Sequence, residues 1–138
     1  MIQHILLDSN VVVDYALKRP GFVENAEKIF DKIETGVITG SISSSAVTDI
    51  YYIVEKQTTR DYAWEMMEYI YQTLRIMPVI RETVREALDS GMYDFEDAVQ
   101  AAAAQDCGID TVVTRDKVGF SNSGLQAFLP EEFLEKLK

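Results

Sequence analysis

His4-Ile5-Leu6-Leu7-Asp8-Ser9-Asn10-Val11 is a short apolar run broken by an acid. An apolar run without alternation marks a strand buried on both faces, and such strands belong to parallel sheets covered by helices. Met1 to Leu7 is therefore expected to be a first buried strand, with Val11 to Lys18 starting a helix. In open α/β sheets, ligands bind beyond the carboxyl ends of the strands. Asp8 stands at such an end. So does Asp116, which follows the clearest inner strand, Thr111-Val112-Val113-Thr114, after Arg115 alone. If these two strands are parallel neighbours, their carboxylates converge on one edge of the sheet.

Outward from these two strands, helical and strand-like segments alternate to both ends. No linker, repeat or low-complexity tract interrupts them, so one α/β domain over residues 1–138 is expected. Phe22, Ala26, Ile29, Phe30 and Ile33 follow helical spacing, with Gly36 placed to stop the helix. Val37 to Ser43 reads as a strand. Ser44 or Ser45 is placed to cap a helix carrying Val47, Ile50, Tyr51 and Val54. Thr58 with Asp61 resembles a capping box before Tyr62, Met66, Tyr69 and Ile70. Arg75 to Ile80 is a third strand candidate, pushed by Pro78 towards a sheet edge. Glu82 to Asp89 reads as a helix. A further, alanine-rich helix opens at Asp94-Phe95-Glu96-Asp97 and ends at Gly108. Leu125 to Leu129 is a last strand, and Pro130 sits in the first turn of a final helix.

Composition narrows the function. The chain has 138 residues with a hydrophobic fraction of 47%, enough for a real core. One cysteine, Cys107, permits no intrachain disulfide and fits a reducing compartment, so a cytoplasmic protein is expected. The N-terminus does not read as a signal peptide, and no stretch is apolar enough to span a membrane. With one histidine, His4, and one cysteine, a structural zinc site is excluded, and the sequence argues against a histidine-dependent triad, which His4 alone would have to carry. Thirteen basic against 23 acidic residues give a net charge of −10, which argues against a protein that coats phosphates.

The same acids suggest chemistry. Asp97 lies in the first turn of the alanine-rich helix, and Asp94 precedes it by three residues on the same face. Asp94 also reads as that helix's N-cap. Asp49 lies in the helix after the second strand, whose N-terminus should face the same sheet edge. Asp8, Asp49, Asp97 and Asp116 gathered in one cleft would repel one another unless a cation sat there or some held protons. Oxygen ligands without His or Cys select Mg²⁺ or Mn²⁺. Such an ion can drive phosphodiester hydrolysis without a histidine base.

Four segments, taken in order, resemble the PIN-domain nucleases, the VapC-like toxin ribonucleases among them. They are Leu6-Leu7-Asp8-Ser9-Asn10-Val11, Ser43 to Tyr52 around Asp49, Asp94-Phe95-Glu96-Asp97-Ala98-Val99-Gln100, and Val113-Thr114-Arg115-Asp116. The Pro130-Glu131-Glu132-Phe133-Leu134 ending fits as well. The resemblance implies a three-layer α/β/α sandwich with a mainly parallel sheet of about five strands. It implies an Mg²⁺- or Mn²⁺-dependent ribonuclease acting on single-stranded RNA. It further implies a toxin of a toxin–antitoxin pair, homodimeric and neutralised by an antitoxin protein. By position, Asp8, Asp97 and Asp116 become the metal-binding acids, with Ser9, Asn10 and Asp94 in support. Asp49 falls where many members carry glutamate, and Gly119 where many carry a polar residue.

Two other readings compete. A flavodoxin-like phospho-acceptor or phosphatase also places acids at strand ends. A haloacid-dehalogenase-type phosphatase wants an acid at position 10, which is Asn10, and a receiver wants its acceptor, here Asp49, at a strand end. The other alternative is a non-catalytic PIN-like module that binds a partner.

Overall fold

The computed structural model describes residues 3–138; Met1 and Ile2, which the sequence reading assigned to the first strand, lie outside the described residues. The strands are β1 (Gln3–Leu7), β2 (Ile38–Ser43), β3 (Arg75–Met77), β4 (Thr111–Val113) and β5 (Gln126–Phe128). Between and after them run α1 (Ser9–Leu17), α2 (Val23–Glu34), α3 (Ser44–Gln57), α4 (Arg60–Thr73), α5 (Arg81–Asp89), α6 (Phe95–Asp106) and α7 (Pro130–Lys136). The sheet order is β3-β2-β1-β4-β5, and every neighbouring pair is parallel.

This is a parallel α/β fold with helices on both faces of the sheet, and the alternation along β1 shows how it is built. Ile5 and Leu7 pack into one apolar layer with residues of α1 to α4 and with Phe133 of α7. Leu6 points the other way, onto Ala101, Ala103 and Ala104 of α6. Each of these three strand residues is fully buried. Such burial is worth about 1.5–3 kcal/mol per side chain. That is why the run shows no polar alternation. The alanines are small enough to bring α6 close over β2 and β1. Gly40 does the same for α2 on the opposite face, since a Cβ there would stand 2.5 Å from Ile33 Cδ1.

The chain leaves β1, adds β2 and β3 on one side, then crosses back to place β4 and β5 on the other. The order therefore reverses between β1 and β4, and a crevice opens beyond their carboxyl ends. The edge position expected for the Arg75 strand is found, with Pro78 just past its end.

Three local expectations are corrected. The helix after Asp8 starts at Ser9, not Val11, because Asp8 already takes the N-cap backbone position. The cap position of α3 is Ser43 rather than Ser44 or Ser45, and no side-chain cap bond forms there. The strand runs directly into the helix, so the Ser43 hydroxyl engages Ser45 Oγ instead, at 2.8 Å. Thr59, not Thr58, caps α4 by accepting from the Tyr62 N–H at 3.1 Å. Thr58 instead donates back to Val54 O at 2.6 Å, closing the preceding helix. Among the described residues, no helix is long and apolar enough to cross a membrane.

Candidate active site

The crevice between β1 and β4 is lined by acids delivered from three elements. Asp8 ends β1 with extended backbone, and its N–H donates to Val113 O at 3.0 Å, prolonging the β1–β4 pairing. Its side chain follows Leu6 by two residues and so emerges on the α6 side of the sheet, where it is buried. Thr114 Oγ1 donates to Asp8 Oδ2 at 2.8 Å. The same oxygen accepts from the Asp116 N–H at 2.9 Å. One hydroxyl thus ties the ends of two strands together. Burial pushes the Asp8 carboxyl above the usual carboxylate range. Thr114, Gln100 and the Ser9 backbone oppose that rise, and the Asp116 charge adds to it.

Asp97 sits half-buried in the first turn of α6. The turn is fixed by Asp94, whose Oδ1 accepts from the Asp97 N–H at 2.9 Å, the cap read from the sequence. Burial, followed by the charges of Asp8, Asp94, Asp116 and Glu96, pushes the Asp97 pKa up to about 7. Asp8, Asp97 and Asp116 therefore share one electrostatic neighbourhood.

Asp116 is exposed, with Oδ1 accepting from the Gly119 N–H at 3.0 Å. A Cβ on Gly119 would lie 2.6 Å from Asp116 Oδ2 and 3.2 Å from Asp97 Oδ2, so both oxygens crowd the same point. Here the loop Val118–Phe120 turns tightly under the two acids. The neighbouring cations do not neutralise Asp116. Arg115 turns away to Asp14 Oδ2 at 2.7 Å, with its guanidinium 4.1 Å from the Phe22 ring centre. Lys117 pairs with Glu132 at 3.1 Å.

Asp49 lies within α3, exposed at the rim. Its neighbour there is Glu96, whose carboxyl is raised by burial first and then by the Asp49 and Asp94 charges. Glu96 was quoted from the sequence without a role in the site; the structure makes it part of the acidic rim. Asn10 is exposed and makes no hydrogen bond to the acids among the described residues, whereas Ser9 acts through its backbone N–H. Thr114 was read as strand and quoted in the Val113–Asp116 segment without a role of its own, and its spacing two before Asp116 was the signal available. Gln100 was quoted without a role, yet it is fully buried beside Asp8.

Donor chemistry suits a hard divalent cation: the groups facing the crevice are carboxylates, and among the described residues no salt bridge quenches them. Asp8, Asp97 and Asp116 are the oxygens that could hold one. Among the described residues, no three acids are grouped closely enough to hold a metal ion as they stand. Chemically, such a cleft can bind a cation and offer it to a phosphate.

A family model described as PIN domain matches residues 4–118. No curated protein matches the chain. Several solved structures are similar in fold. VapBC2 from Rickettsia felis, bound to a DNA fragment from its promoter, matches at 16% identity and TM-score 0.73, covering 92% of this chain and 98% of that chain. The sarcin-ricin loop cleaving toxin VapC20 from Mycobacterium tuberculosis matches at 15% identity and TM-score 0.70, covering 88% and 95%. FitAcB from Neisseria gonorrhoeae matches at 21% identity and TM-score 0.66, covering 92% and 98%.

Proposed function

The chain belongs to the PIN domain family, and from that premise we propose that it is an Mg²⁺- or Mn²⁺-dependent ribonuclease that hydrolyses phosphodiester bonds of single-stranded RNA. The observation that carries the reading is the convergence of Asp8, Asp97 and Asp116 from three separate elements, with Asp116 Oδ2 and Asp97 Oδ2 within 2.6 and 3.2 Å of one point over Gly119. Burial first, and then the charges of the neighbouring acids, bring Asp97 to about 7. Structural ion pairing would have lowered that value, not raised it. A cation is the partner such a cluster calls for.

In this mechanism Asp8, Asp97 and Asp116 would hold the metal, with Asp49 at the rim beside Glu96. When bound, the ion supplies an activated water and quenches charge on the phosphate. Thr114 orients Asp8 through its hydroxyl, and the Gly119 N–H orients Asp116. Asp94 fixes the turn that presents Asp97. Tyr93 and Phe95, exposed on either side of Asp94, offer ring faces for unpaired bases.

We read the protein as a cytoplasmic, single-domain toxin of a toxin–antitoxin pair. The support is fold likeness to toxins and toxin–antitoxin complexes. A homodimer is supported by Tyr52, Trp64 and Tyr71, large side chains left exposed on α3 and α4. A receiver-type phospho-acceptor is disfavoured because Asp49 lies inside a helix rather than at a strand end.

The test is RNA cleavage by the whole chain. Cleavage should require Mg²⁺ or Mn²⁺ and stop with chelator. Asp8→Asn should abolish it while preserving the circular dichroism spectrum, since a neutral amide suits the buried position and keeps an acceptor for Thr114. An Asp8→Asn protein that cleaves at the wild-type rate would overturn the assignment. Calorimetric titration with Mn²⁺ separates a non-catalytic PIN-like module, which should show no binding at the acids.

A further inference from the structure

Gln100 is out of place for a core residue. It stands on α6 three residues after Asp97, so both share one helix face. The layer it enters is largely apolar, built from Leu6, Val112 and the α6 alanines, with buried Ser41 and Ser43 of β2 as further polar residues on that side of the sheet. Gln100 is 1% exposed, and among the described residues neither its Oε1 nor its Nε2 has a hydrogen-bond partner of good geometry. A buried amide left this way is costly, and leucine or methionine would fill the same volume without the loss.

The amide is not idle in position, because it lies against the Asp8 carboxylate. An ionised carboxylate only accepts, so chemistry turns Nε2 towards it. Asp8 already receives the Thr114 hydroxyl on Oδ2. A donor from the α6 side would restrain the carboxylate from a second direction and set the plane in which its remaining lone pairs face the crevice.

We propose that Gln100 is a positioning residue of the acid cluster, its buried amide orienting Asp8 so that the carboxylate meets a divalent cation in a fixed plane. The proposal rests on the metal-dependent reading above and adds to it a residue that never touches substrate. Groups of this kind, one step behind a metal ligand, typically change metal affinity 10- to 100-fold when removed. The gain in positioning offsets the burial of an amide in an apolar layer.

The experiment compares the whole wild-type chain with Gln100→Met, which keeps volume and removes the amide. Calorimetric titration with Mn²⁺ should show binding weakened about tenfold or more, while the melting temperature of the chelator-treated protein is unchanged or higher. Unchanged Mn²⁺ affinity, or a lower melting temperature with unchanged affinity, makes Gln100 a packing residue and overturns the proposal. A wild-type chain that binds no Mn²⁺ overturns this proposal together with the nuclease reading. Should Gln100→Met not fold, the wild-type protein still decides. The Gln100 side-chain amide resonances should shift on adding Mg²⁺, and resonances that stay fixed while Mg²⁺ binds overturn the assignment.

Discussion

The thinnest points of the site are single atoms. Thr114 serves two acids with one hydroxyl, so Thr114→Val removes the donor to Asp8 and the acceptor for the Asp116 N–H together. Leaving those groups unmet should cost about 1–2 kcal/mol in urea denaturation. The loss should also weaken Mn²⁺ binding about tenfold in calorimetry; an unchanged affinity would make the hydroxyl a structural tie only. Gly119 is constrained by space as well as by its N–H bond to Asp116 Oδ1. Its missing side chain is what lets Asp116 and Asp97 approach, because a Cβ would stand 2.6 Å from Asp116 Oδ2. Gly119→Ala should therefore depress Mn²⁺ affinity and RNA cleavage together, with stability inside the roughly 0.5 kcal/mol of an ordinary surface substitution. If the alanine variant melts well below wild type, the loop is a folding element and the argument from crowding fails. The sequence flagged Gly119 as a departure from pattern, and only the approach of two carboxylates gives the departure a reason.

At the scale of elements, α6 carries most of the site: its cap Asp94, the crowded Asp97, the rim residue Glu96 and buried Gln100. Asp94 has two opposed effects here. It satisfies the Asp97 N–H, and its charge raises Asp97. The two effects are separable. Asp94→Ala should cost about 1 kcal/mol of stability through the lost cap. Asp94→Asn keeps the cap acceptor, so its stability should be near wild type. Both variants should bring Asp97 below its value of about 7 in a carboxyl NMR titration. An Asp97 that titrates where it did before would mean that Asp94's charge does not reach it. This helix was legible in the sequence because its period is long and its cap is a local motif. The same holds for β1 and β4, whose uninterrupted apolar runs left no other reading. Caps at Ser43 and Thr59 were misplaced by one or two residues, since Ser-Ser-Ser and Thr-Thr offer neighbouring hydroxyls and only backbone geometry chooses among them. Glu96 and Asp49 facing each other, and Asp14 buried between Arg19 and Arg115, could not be read at all. Asp49 with Glu96 and Asp14 with Arg115 join residues far apart in sequence, and the sheet order that unites them is not a local property.

For the whole molecule, a net charge of −10 is spread over the surface, but its effect on folding is concentrated in one crevice. Asp97 titrates at about 7 in the folded chain, well above the 3.8 of an unperturbed aspartate. Between those values the folded state keeps a proton that the unfolded chain has released, so stability falls as pH rises through this window and levels off above it. Asp8 and Glu96, also raised, pull in the same direction. Glu132, lowered by the Leu129 N–H and Lys117, pulls the other way but only in the acid range, and it lies on the surface. Asp97 is half-buried, so solvent screening trims its share to about 1–2 kcal/mol. Metal-free protein should accordingly melt several degrees higher at pH 5 than at pH 8, the reverse of ordinary acid denaturation. On the proposed reading Mn²⁺ would bind only the folded, ionised cluster, and at a hundred times its dissociation constant should return about 2.7 kcal/mol at pH 8. At pH 5 the ion must first displace the Asp97 proton, so its benefit shrinks. Melting curves at pH 5 to 8, with chelator or with Mn²⁺, check both slopes at once. A chelator-treated protein that gains stability from pH 5 to pH 8, or one that Mn²⁺ stabilises more at pH 5, would show that the acids do not share a single crowded site.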